Sequence, residues 1–137
     1  MGTRSRAYVD TSALIAFASR SDSYHFLFRR LFSDPPSLVT TPLVVAEAHA
    51  WFLRRFDQRK ALEFIALLER LSPLEIERVS AADQRVGFAL LRRFSDQNLT
   101  LTDAVGLHLM ERQKLEVCWS TDRHLALTGI PLVIHRY

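Results

Sequence analysis

Two spacings of apolar residues alternate along the 137-residue chain, and together they predict a regular succession of strands and helices. Short apolar runs at Ala7-Tyr8-Val9, Leu38-Val39-Thr40 and Val117 to Ser120 read as buried strands. Between them lie longer segments with helical spacing. Thr11 and Ser12 open a helix that runs to about Ala18, and Tyr24, Leu27, Phe28, Leu31 and Phe32 mark one face of the next. Pro42 suits the first turn of a helix reaching about Phe56, and Leu62, Ile65, Leu68 and Leu71 mark a helix from about Gln58 to Leu71. The Ser72-Pro73 turn then precedes a segment, Leu74 to Val79, in which apolar and charged residues alternate. That pattern predicts a strand with one exposed face, near a sheet edge. Ser80 caps a helix to about Phe94, a loop covers 95–101, and Thr102 opens a helix to about Gln113. A last strand is expected at Leu132-Val133-Ile134, after Gly129 and Pro131. Strands alternating with helices from end to end imply a three-layer α/β fold on a mostly parallel sheet of four to five strands. Length and the absence of linker-like runs or internal repeats imply a single domain over residues 1–137.

Composition removes whole classes. Hydrophobic residues at 48% and charged residues at 24% exclude a disordered or fibrous chain. No apolar run reaches the ~18 residues of a membrane helix. The basic start, Met1 to Arg6, leads into too short an apolar stretch for a signal peptide, so a cytoplasmic protein with no membrane partner is expected. The lone Cys118 forms no disulfide within the chain, and its apolar strand makes it a packing residue. Only Gly2, Gly87, Gly106 and Gly129 are glycine, so neither the dinucleotide fingerprint nor the phosphate-binding loop can be written here. Net charge is +3, and all but two of the 18 basic residues are arginine. Arginine's planar fork suits phosphate and base recognition. The Arg-Arg pairs at 29–30, 54–55 and 92–93 fall late in helical segments, where they serve either phosphate contact or ordinary solvated helix ends.

The candidate chemistry lies in four acids. Asp10 and Asp122 directly follow strands, so in a parallel sheet both project into the crevice beyond the strands' carboxyl ends. Asp103 lies in the first turn of a helix after a loop that opens on the same edge. Glu47, flanked at helical spacing by Leu43 and Trp51, is expected on a buried face. Taken singly, dipole complementation, N-capping or pairing with Arg54 would account for each. Converging carboxylates repel one another unless a hard cation lies between them, and Mg²⁺ or Mn²⁺ takes such oxygen ligands. Without the four, 18 bases face 11 acids: an acidic hole in a basic rim, the charge arrangement of a metal nuclease.

The segments Tyr8-Val9-Asp10-Thr11-Ser12-Ala13-Leu14, Glu47 in the helix after Thr41-Pro42, Leu101-Thr102-Asp103-Ala104, and Ser120-Thr121-Asp122 before Gly129-Ile130-Pro131 together resemble the PIN-domain ribonucleases, and within them the VapC-type toxins of toxin and antitoxin pairs. The resemblance spans nearly the whole chain. It implies Mg²⁺- or Mn²⁺-dependent hydrolysis of RNA by a metal-activated water, with Asp10, Glu47, Asp103 and Asp122 as metal-binding acids. It also implies Thr11, Ser12 and Thr121 as hydroxyls that orient carboxylates or water, a homodimer, and a cognate antitoxin protein. Asp96 is not required by the family. None of the five histidines has metalloprotease spacing; His49 and His108 lie nearest the acids in sequence. Phe26 falls off its helix's apolar face, and with Trp51, Phe52 and Phe56 it suggests a hydrophobic groove for a partner helix. Three rival readings fit the residues less well. A haloacid-type phosphatase needs a second Asp where Ser12 stands, and a phosphoacceptor receiver domain needs a late strand-end lysine, whereas Lys114 closes a helix. A non-catalytic RNA-binding domain would bind RNA in the presence of a chelator without cutting it.

Overall fold

The computed structural model describes residues 6–72 and 74–136; most of the basic N-terminus and Pro73 of the predicted turn lie outside them. Four short strands, β1 (Ala7–Val9), β2 (Leu38–Thr40), β3 (Leu74–Ile76) and β4 (Val117–Trp119), form one sheet in the order β3-β2-β1-β4. Every pairing is parallel, with Tyr8 opposite both Val39 and Cys118, and Leu38 opposite Leu74. The helices are α1 (Thr11–Ala18), α2 (His25–Ser33), α3 (Pro42–Arg55), α4 (Gln58–Glu69), α5 (Ala81–Arg93) and α6 (Leu101–Arg112). The chain proceeds outward from β1 through β2 to β3, then returns to the other side of β1 with β4. This reversal between β1 and β4 is a topological switch point, where parallel sheets open a crevice at their carboxyl ends.

Local chemistry explains where the helices begin. Thr41, Asp57, Ser80 and Thr100 each accept a backbone N–H of the first turn through a side-chain oxygen, and Pro42 fills a position whose N–H would have no helical partner. The core is built on the wholly buried strands β1, β2 and β4, with Tyr8, Leu14, Phe28, Leu107 and Met110 among its largest members. Two glycines permit the close approach of elements. A Cβ on Gly106 would lie 3.0 Å from the Tyr8 ring and hydroxyl, and one on Gly87 would lie 3.0 Å from a Val105 methyl. Thus α6 sits directly on β1, and α5 directly on α6.

Four expectations are corrected. Leu132 to Ile134 is not a strand: Leu132 makes one parallel bridge with Cys118, and the chain then closes a 3₁₀ turn with the His135 amide donating to Leu132 O at 3.1 Å. Leu132 and Val133 are both buried against the core. β3 ends at Ile76, although the Glu77 amide still reaches Thr40 O at 2.8 Å; its edge position and exposed face are as predicted. On α2 the inward face is His25, Phe28 and Phe32, with Tyr24 38% exposed, because His25 anchors the first turn by bonding Ala16 O at 2.8 Å. Finally, α6 begins at Leu101, not Thr102, because Thr100 is its cap.

Candidate active site at the carboxyl edge of the sheet

Asp10 is the first residue beyond β1, and its amide donates to Trp119 O at 3.0 Å, which ties the ends of β1 and β4 together. Its carboxyl group is buried, 3% exposed. Oδ2 accepts the Ser120 hydroxyl at 2.9 Å and the Ser12 hydroxyl at 3.1 Å. Each of these hydroxyls in turn accepts an amide, Asp122 N on Ser120 at 2.9 Å and Thr121 N on Ser12 at 3.0 Å. Both hydroxyl protons are thus committed to the carboxylate, and the 3.1 Å Ser12–Ser120 approach is proximity without a third bond. The network orients Asp10 from both flanking elements. Burial, and next the neighbouring Asp103, push its pKa up from 3.8 to about 6, against the opposing effect of the hydroxyl and amide donors.

Asp103 is the third residue of α6 and forms a reciprocal capping box with Thr100, Oδ2 accepting Thr100 N at 3.2 Å and Asp103 N donating to Thr100 Oγ1 at 3.1 Å. It is 6% exposed. Burial raises its pKa, and the charges of Asp122 and Glu47 add to the rise while the cap opposes it. Asp122 caps the 3₁₀ turn Arg123–Ala126, its Oδ1 accepting the His124 amide at 3.0 Å and lying 2.9 Å from His124 Nδ1. One ligand atom each from Asp103, Asp122 and His124 lie within 4.8 Å of one another. Glu47 projects from α3 and lines an open cleft with Thr11. Its helix face is half-buried, not buried as expected; α3 packs inward through Val44, Ala48 and Phe52.

The fold therefore gathers Asp10, Asp103 and Asp122 at the β1/β4 edge, with Glu47 close enough to act on Asp103. Ser12 binds Asp10 as a hydroxyl. Thr11 lies at the edge with a buried hydroxyl that has no protein partner, and Thr121 contributes its amide. Ser120 holds the hydroxyl position that sequence reasoning gave to Thr121, since the strand's end directs Ser120 inward beside Asp10. His124, two residues after Asp122, joins the acid cluster in space, a placement its lack of metalloprotease spacing does not signal. His49 and His108 are elsewhere: His49 lines an apolar cleft with Val45 and Ile76, and His108 bonds Asp83 at 2.9 Å. Phe52 is 3% exposed and lines a cleft with Ala18, Lys60, Glu63 and Phe64, whereas Phe26 is 79% exposed. Burial, then the nearby acids, hold Cys118 in the thiol form, consistent with packing alone.

The PIN domain family model matches residues 7–130. The chain belongs to the PIN domain family. It is 27% identical over 124 residues to the 23S rRNA-specific endonuclease VapC20 of Mycobacterium tuberculosis, covering 89% of this chain and 93% of that protein. The crystal structure of M. tuberculosis VapC20, described as a sarcin-ricin loop cleaving toxin, superposes with a TM-score of 0.81 at 25% identity, covering 90% of this chain and 95% of that one. A toxin-antitoxin complex from Klebsiella pneumoniae matches in fold with a TM-score of 0.65 at 20% identity, covering 92% of this chain and 95% of that one. PIN nucleases depend on divalent metal, and the donors here suit such an ion: hard carboxylate oxygens that repel one another, with one imidazole beside them. No helix among the described residues is long and apolar enough to cross a membrane.

Proposed function

We propose that this chain is a VapC-type endoribonuclease that hydrolyses RNA phosphodiester bonds with Mg²⁺ or Mn²⁺ held by Asp10, Glu47, Asp103 and Asp122, and that it acts as the toxin of a toxin-antitoxin pair. The observation that carries the reading is the convergence of Asp10, Asp103 and Asp122 on one edge, two of them with pKa values raised by burial and by neighbouring acids. When bound, the divalent ion supplies charge neutralisation at the phosphate and lowers the pKa of the attacking water. The chain's own residues do the positioning. Ser12 and Ser120 fix one oxygen of Asp10, the Thr100 box fixes one oxygen of Asp103, and the His124 amide fixes Oδ1 of Asp122. Ligand atoms locked in this way lose little freedom on binding a cation. His124 adds a nitrogen donor beside Asp122, which suits Mn²⁺ better than Mg²⁺.

The whole of 1–137 is taken to act as one domain, as a homodimer restrained by a cognate antitoxin. The 23S rRNA specificity of VapC20 makes ribosomal RNA the first substrate to try. The test is incubation of purified protein with ribosomal RNA and Mg²⁺ or Mn²⁺. Discrete cleavage that EDTA abolishes is expected; cleavage that persists in EDTA would overturn the metal mechanism.

A further inference from the structure

Beside the acids, a cleft of about 470 Å³ runs along the contact of α1 with α3. Its walls are Thr11 and Ile15 from α1 and Glu47, Trp51, Arg54 and Arg55 from α3. The α3 residues follow i, i+4, i+7 and i+8, so they form one stripe from the acidic edge to the helix's C-terminus. Trp51 is half-buried and braced edge-on by Phe52, ring centres 5.0 Å apart at 85°, and by Phe56 at 6.0 Å and 73°. Arg54 and Arg55 are exposed, and among the described residues neither forms an ion pair. Arg54 donates Nε to Ala50 O at 3.3 Å, and Arg55 lies over the Phe56 ring at 5.5 Å. Seven residues of helix separate Glu47 from Arg54, about 10 Å, which is close to three steps of a stacked strand at ~3.4 Å each.

Resting on the nuclease reading above, we propose that this cleft holds the single-stranded RNA flanking the scissile phosphate, with a base stacked on Trp51 and backbone phosphates on Arg54 and Arg55. The assignment to RNA follows from charge. An apolar partner helix has no use for two unpaired guanidinium groups beside an aromatic platform, whereas a nucleotide strand supplies a planar ring and anions at matching intervals. Continuity with Glu47 places that strand where the acids can reach it.

The test is the salt dependence of binding to a fluorescein-labelled 12-nucleotide single-stranded RNA, measured by anisotropy in EDTA so that nothing is cut. Each lost phosphate contact lowers the slope of log K against log salt by ~0.7, so Arg54→Gln/Arg55→Gln should flatten it by about 1.4. Arg54→Lys/Arg55→Lys should restore it. Trp51→Ala should weaken binding roughly 5- to 150-fold with the slope unchanged, and Trp51→Phe should recover much of the loss and guard against misfolding. A wild-type slope and affinity in the Gln double variant would overturn the assignment and leave the cleft to a protein segment. Metal-dependent cleavage of the same RNA by the wild-type protein, run in parallel, separates the two readings. If wild-type cleaves and the variants bind normally, only the cleft assignment falls; if wild-type neither binds nor cleaves, the nuclease reading falls with it.

Discussion

α5 and α6 begin with the same device. In each, a hydroxyl residue caps the helix and an aspartate at the third position returns the bond, Ser80 with Asp83 and Thr100 with Asp103. Their second oxygens have opposite surroundings. Asp83 Oδ1 receives His108 Nε2 at 2.9 Å and the Arg112 guanidinium, and the Ser80 amide, His108 and Arg112 hold its carboxyl well below the usual range. Asp103 faces Asp122 and Glu47, and its pKa is raised. The same capping chemistry therefore supports a structural carboxylate where cations complete it and, in the proposed reading, a metal-binding carboxylate where like charges surround it. The Asp83 cluster locks α5 to α6 and has no vacancy for a ligand. The Asp103 cluster brings together like charges whose repulsion a cation would relieve.

The largest expected effect is on activity. Asp103→Asn or Asp10→Asn should lower RNA cleavage at least about 10²-fold, whereas Asp83→Ala should leave it within a few-fold, as measured on the same RNA with Mn²⁺. Stability should move the other way. Asp83→Ala removes a capping oxygen and the acceptor for His108 and Arg112, at a cost of about 2 kcal/mol seen as a lower Tm. Asp10→Asn in metal-free protein should be neutral or stabilising.

The pH dependence separates the two regions further. Asp10's folded pKa, about 6, lies above its unfolded value near 3.8, so its ionisation opposes folding. That cost is absent below about pH 4, grows as pH rises toward 6 and is then constant, on the order of 3 kcal/mol. Asp83's folded pKa is depressed, so its stabilisation is full above about pH 4 and fades in stronger acid. The combined contribution of these two carboxylates is therefore most favourable near pH 4 in metal-free protein, and denaturant midpoints of wild-type, Asp10→Asn and Asp83→Asn proteins across pH 2–7 would show it. In Asp10→Asn much of the decline from pH 4 to 6 should vanish, and an unchanged decline would place the cost elsewhere. The smallest expected effect is at His124. His124→Ala should weaken Mn²⁺ binding about 10-fold and leave the Tm of metal-free protein nearly unchanged, as calorimetric titration and a thermal melt would show.

The legible parts of this fold were those with strong periodicity or strong local chemistry. The β1 and β4 apolar runs, the Thr41-Pro42 start and the Ser80 cap are spelled out in adjacent residues, and so were the positions of Asp10 and Asp122 after strands. Less legible were features decided across the fold. Ser120 binds Asp10 from 110 residues away, and its chemistry follows from the register of β4 against β1. Asp83, His108 and Arg112 lie on two helices whose packing depends on Gly87. The stretch at 132–134 has strand composition, yet it follows β4 with room for one bridge before the chain turns.

The most direct test is a Mn²⁺ titration at pH 7, read from the electron paramagnetic resonance of the free ion, on wild-type, Asp103→Asn and Asp83→Asn proteins. The account predicts binding by wild-type, at least about 10-fold weaker binding by Asp103→Asn, and wild-type binding by Asp83→Asn. Equal binding by all three would contradict it, because the two capping boxes would then not differ in the property that makes one of them a site.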